Sequence, residues 1–135
     1  MEAYIVNGYR TAVTKAKRGG FNYTSPVDFG AAVINYLIDN TPGFDPGLVE
    51  DLIVGNAVPE AEQGLQMARW VSMRSILPME IPGVTVNRYC GSGIETISMA
   101  VAKIKAGLAD CIVAGGTESM SLVQHRGLRR FLIIT

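Results

Sequence analysis

Short apolar runs alternate along this chain with longer segments of helical period. Ala3 to Val6 (AYIV), Asp51 to Val58 (DLIVGNAV), Gly83 to Asn87 (GVTVN) and Cys111 to Gly116 (CIVAGG) are the short runs. Unbroken apolar runs of this length fit strands covered on both faces, as in a parallel sheet. The first helical segment, PVDFGAAVINYLIDN, carries a start signal: Ser25 to cap, Pro26 at the first helical position and Asp28 in the first turn. It sets Val33, Ile34, Leu37 and Ile38 on one face, and Pro42 disfavours helix at Thr41. A second helix is predicted from Leu65 to Leu77, closed by Pro78. The third, Gly91 to Asp110, has the cleanest period: Ile94, Ile97, Val101, Ile104 and Leu108 fall on one stripe, with Gly107 as a stop signal. Lys103 and Lys105 stand near the negative end of its dipole. The order β-α-β-α-β-α-β predicts an α/β layered fold with a mostly parallel sheet.

Composition narrows the function. The 135 residues suit one domain, and 48% hydrophobic residues are ample for a core. Charged residues are only 18%, so much surface is buried or covered by neighbours. Twelve basic residues balance twelve acidic ones, which points away from nucleic acid and membrane surfaces as main partners. Two cysteines, Cys90 and Cys111, fit a reducing compartment, and one histidine, His125, leaves no zinc-type spacing. The first ten residues do not read as a signal peptide, and no apolar run approaches the roughly 20 residues that span a bilayer. The expectation is a cytoplasmic chain.

Cys90 stands on the hinge between the predicted third strand and third helix, in VTVNRYCGSGIETI. Free cysteine is among the most buried residue types, so packing is one reading. The other is a nucleophile. A strand-to-helix turn lies at the edge of the sheet where α/β ligands bind, and the helix N-terminus favours a thiolate. Gly91 and Gly93 leave room for a substrate beside the backbone, as in a nucleophile elbow. Position alone leaves the two readings open. GSGIET matches only part of a dinucleotide fingerprint, with Thr96 at the third glycine position. Cys111 reads as core, Glu118 as a loop residue, His125 as solvated, and Lys15, Lys17 and Arg18 as a solvated basic loop.

Four separated segments agree in order and spacing with one family: IVNGYRTAVTKAKRGGF, VGNAVPEAEQGLQMAR, VNRYCGSGIETI and DCIVAGGTESMS. Together they resemble the thiolases, nearest the 3-ketoacyl-CoA thiolase and acetyl-CoA acetyltransferase branch. The resemblance implies a partial thiolase half in three α/β/α layers over residues 1–123. It implies that Cys90 attacks a 3-ketoacyl-CoA and carries the acyl group, with coenzyme A as substrate and no bound prosthetic group. It also implies homo-oligomers, dimers or tetramers. Thiolases carry further parts that this sequence does not match: a loop domain, a fifth strand between strands one and four, and a second half. That half supplies a Gly-His-Pro base, a Cys-x-Gly-Gly-Gly proton carrier and an Asn-Glu-Ala-Phe oxyanion motif. This 135-residue chain is therefore expected to turn over little or no substrate alone. Without a fifth strand, Ala3–Val6 would lack its in-sheet neighbour and the CIVAGG edge would stand open. Residues 124–135, QHRGLRRFLIIT, depart from the family pattern, as a frameshifted end would. A ketoacyl synthase-like condensing domain and a non-catalytic fragment that associates or aggregates are the alternatives.

Overall fold

A computed structural model of the chain describes residues 2–123. Three helices and three strands alternate: α1 (Pro26–Asp39), β1 (Asp51–Gly55), α2 (Met67–Arg74), β2 (Gly83–Val86), α3 (Ser92–Lys105) and β3 (Ile112–Gly116). The strands form one sheet in the order β2-β1-β3, parallel throughout. Leu52 is in register with Gly83 and Val113, and Gly55 with Val86 and Gly116. This is the α/β, parallel-sheet architecture of the expected partial three-layer α/β/α unit.

Local chemistry explains the elements. Ser25 accepts from the Val27 N–H at 3.3 Å and Pro26 opens α1, as the start signal predicts. Past the end of α1, Gly43 turns the chain at φ +75°. α3 ends at Lys105, short of the expected Asp110, because Gly107 takes φ +70° two residues later. Lys103 is drawn aside into an ion pair with the nearly buried Asp51 at the start of β1.

Central β1 is buried along its whole length, so its side chains define both faces. On one face Leu52 and Val54 pack with Ile34 and Ile38 of α1 and with Met67, Ala68 and Val71 of α2. On the other face lie Ile53 and Gly55, and α3 covers them. A Cβ at Gly55 would come within 2.8 Å of the Ser92 backbone, so glycine here lets α3 sit directly on the sheet. Only small side chains fit such a contact, and α3 buries Ser92, Thr96 and Ala100.

Two expectations change. The α3 stripe does not enter the core: Ile94 and Leu108 are 75% and 74% exposed, and Ile97 and Val101 are also exposed. The helical period located the large residues correctly, but glycine on the strand selects the small-residue face for burial. The predicted strand at Ala3–Val6 does not form. Residues 2–15 carry no helix or strand, and Tyr4, Ile5 and Val6 are 80, 79 and 84% exposed. The described sheet ends at β3, so the run has no neighbour with which to exchange hydrogen bonds, and a solitary strand gains none. The expected tail, 124–135, with His125 and the FLIIT run, lies outside the described residues. Among the described residues, no helix is long and apolar enough to cross a membrane.

Candidate active site

β2 ends at Val86 and α3 begins at Ser92, so the intervening residues must reverse the chain within one short turn. Asn87 starts it. Its Oδ1 accepts from the Tyr89 N–H at 2.9 Å, and its Nδ2 donates to the Ala57 carbonyl at 3.1 Å. Tyr89 takes a left-handed φ of +47°, which costs a non-glycine residue energy and needs fixed surroundings. Ser92 supplies them from the other side. Its hydroxyl accepts from the Arg88 N–H at 2.9 Å and donates to the Tyr89 carbonyl at 2.6 Å. The Gly91 N–H closes the turn onto the Arg88 carbonyl at 3.0 Å.

Cys90 sits at the crest of this turn, exposed and without a disulfide. The packing reading of the residue is therefore not what the structure displays. Gly91 is the N-cap of α3, and no side chain caps that helix end. Backbone N–H groups and the positive end of the helix dipole thus lie next to the thiol. A Cβ at Gly93 would meet nothing within 4 Å, so the approach beside Cys90 is open. Arg88 pairs with Glu95 at 3.1 Å, at a solvent-exposed position where an ion pair contributes little. A thiol so placed can attack an electrophilic carbonyl and hold an acyl group as a thioester.

A second network supports the turn from below. Glu118 follows β3 and accepts from the Ala57 N–H at 2.6 Å, from Asn56 Nδ2 at 3.3 Å and from Gln63 Nε2. Asn56 Nδ2 also donates to the Thr117 carbonyl at 2.9 Å, and Gln63 Oε1 accepts from the Ser119 N–H. Asn56 and Gln63 are fully buried. Ala57 links the two networks, because its N–H goes to Glu118 and its carbonyl receives Asn87. The loop reading of Glu118 is right for its backbone and incomplete for its carboxylate. Sequence reasoning missed Asn56, Gln63 and Asn87. The partners of Glu118 lie 55 to 62 residues away, so no local spacing could have shown them.

The other singled-out residues lie apart. Cys111 precedes β3, at the opposite end of the parallel sheet from Cys90, and packs half-buried against the core. Burial first, and the Glu50 carboxylate second, push its thiol pKa up. Lys15, Lys17 and Arg18 occupy an exposed turn in which the Lys17 N–H donates to the Ser121 hydroxyl at 2.9 Å. Among the described residues, no cluster of His, Cys, Asp or Glu could hold a metal ion.

Comparison with known proteins bears on this site. The sequence profile described as the thiolase N-terminal domain matches residues 3–131. A 3-ketoacyl-CoA thiolase of Bacillus subtilis is 47% identical over 126 residues, which cover 93% of this chain and 32% of the relative. A steroid 3-ketoacyl-CoA thiolase of Mycobacterium tuberculosis is 42% identical, covering 90% of this chain and 30% of that one. A beta-ketoadipyl-CoA thiolase of Acinetobacter baylyi is 41% identical, covering 88% and 29%. The chain spans about a third of the length of these relatives.

Proposed function

The chain belongs to the thiolase family, matching its N-terminal domain, and we propose that Cys90 is the residue that accepts the acyl group. The Cys90 sulfur attacks the 3-keto carbonyl carbon of a 3-ketoacyl-CoA. The bond between the α and β carbons then breaks, its electron pair leaves with the acetyl-CoA carbanion, and a proton completes acetyl-CoA. The acyl group stays on sulfur until a second coenzyme A, entering as its thiolate, displaces it. In reverse, the same steps condense two acyl-CoA molecules. Backbone N–H groups around Gly91 favour the oxyanion formed in each addition. Coenzyme A is a substrate throughout, and no resident cofactor is needed.

One observation carries the reading: an exposed thiol on a braced strand-to-helix turn, in a chain of this family. The described residues include no histidine to take the thiol proton, and the sequence has only His125. We therefore expect the 135-residue chain alone to show little or no thiolytic turnover with acetoacetyl-CoA and coenzyme A. Rates like those of a complete thiolase would sink that part of the proposal. The exposed apolar face of α3 favours a homo-oligomer, and the scarcity of cysteine favours the cytoplasm.

A further inference from the structure

Among the described residues, one side-chain hydrogen bond ties the Cys90 turn to the loop after β1. Past the end of β1 the Asn56 N–H donates to the Val86 carbonyl at 3.0 Å, which carries the β1–β2 pairing one step beyond the strands. There the backbone pairing stops, because the Arg88 N–H turns away to the Ser92 hydroxyl at 2.9 Å. Asn87 takes over: its Nδ2 donates to the Ala57 carbonyl at 3.1 Å. Ala57 is itself held, since its N–H donates to the Glu118 carboxylate at 2.6 Å and the neighbouring Asn56 is fully buried. The two bonds of the Ser92 hydroxyl are local by comparison, reaching Arg88 and Tyr89 four and three residues back. They shape the turn, whereas Asn87 also fixes it relative to the sheet.

We propose that Asn87 is a positioning residue for Cys90: its two hydrogen bonds hold the Tyr89 backbone left-handed, and so set the direction in which the thiol meets the carbonyl of an acyl-CoA. The inference rests on Cys90 as the acyl acceptor. A φ of +47° is one that a bulky residue leaves when it is free to. The Tyr89 ring is 76% exposed, so its packing does little to hold that backbone. The hold comes from Asn87 Oδ1, which accepts from the Tyr89 N–H at 2.9 Å in an Asx turn. Cys90 is the next residue, so a change of φ at Tyr89 swings its sulfur. Addition to a carbonyl needs a set distance and angle, and a misplacement of about 1 Å can cost about 100-fold. Alkylation by a small soluble reagent needs only an exposed thiolate. Loss of Asn87 should therefore separate two reactions of one sulfur. Asn87 is itself exposed, so its removal does not open the core.

NMR and peptide mass spectrometry of the full 135-residue chain, wild type against Asn87→Ala, test the proposal. The wild type should show at Tyr89 the strong intraresidue amide-to-Hα Overhauser contact that a positive φ gives. Asn87→Ala should lose it while the Ile53 amide stays protected from exchange. Absence of the contact in the wild type, or its persistence in the variant, overturns the proposal whether or not Cys90 is acylated. With acetoacetyl-CoA, the thiol proton ends on the departing acetyl-CoA and the acetyl group on sulfur. That acetylation of Cys90 should fall at least about tenfold in the variant, while iodoacetamide labelling of Cys90 stays within about twofold. An equal fall in both reactions, or no fall in acetylation, overturns the proposal. If Asn87→Ala loses Ile53 protection, Asn87→Leu replaces it under the same criteria. A wild type that is not acetylated at all sinks the acyl-acceptor reading of Cys90, and the Overhauser outcome then decides the role of Asn87 alone.

Discussion

The two cysteines illustrate how much a few ångströms of surroundings decide. Cys90 is exposed on a turn, and Cys111 is half-buried with its thiol pKa raised by desolvation and Glu50. A raised value means less thiolate at a given pH, and thiolate is the reactive form. Iodoacetamide at pH 8 should therefore label Cys90 about tenfold faster than Cys111, read by peptide mass spectrometry. Equal labelling would contradict the assigned burial. Stability has a sign as well. The folded state holds the Cys111 proton more tightly than the unfolded chain does, so Cys111 favours folding below the ordinary thiol range. That contribution is lost as pH rises from about 9 through the raised value. A Cys111→Ala variant should lose less stability than wild type over that range in urea titrations. Glu118 is the other residue with consequences beyond its neighbours. Removing its carboxylate in Glu118→Ala strands the Ala57 N–H and leaves Gln63 Nε2 with only its bond to the Val58 carbonyl, at about 1–3 kcal/mol for a buried unsatisfied group. The urea midpoint should fall accordingly, and an unchanged midpoint would mean that the network does not form.

At the scale of elements, the placement of Cys90 depends on how closely α3 lies on β1. Gly55 sets that distance, since any Cβ would meet the Ser92 backbone at 2.8 Å. Gly55→Ala should destabilise the fold by about 1–3 kcal/mol through overpacking, measured by denaturant unfolding, and a neutral result would show that α3 can withdraw freely. The same contact explains what the sequence could and could not disclose. Capping at Ser25, the stop at Gly107 and the three apolar runs that become β1, β2 and β3 rest on local chemistry, and each was legible. So was the position of Cys90 between β2 and α3. The buried face of α3 was not, because Gly55 and Thr96 meet only in space. Nor was the fate of Ala3–Val6. Its β propensity is real, but a strand needs a neighbour, and propensity carries no information about whether one is present.

For the whole molecule, the sheet order β2-β1-β3 leaves the outer edges of β2 and β3 unpaired among the described residues, and one helix face of apolar side chains exposed. The chain covers about a third of its thiolase relatives, and among the described residues its Cys90 turn is braced by Asn87, Ser92 and Gly91, with Asn87 anchored on the Ala57 carbonyl. On the proposed reading, a thiol held in this way should accept an acyl group even if it cannot complete a catalytic cycle. The most direct test is prolonged incubation of the 135-residue chain with acetoacetyl-CoA, followed by peptide mass spectrometry. The account predicts one acetyl group, bound as a thioester on the Cys90 peptide, absent in Cys90→Ser and absent from Cys111. An unlabelled Cys90, or a label that resides on Cys111, would contradict it.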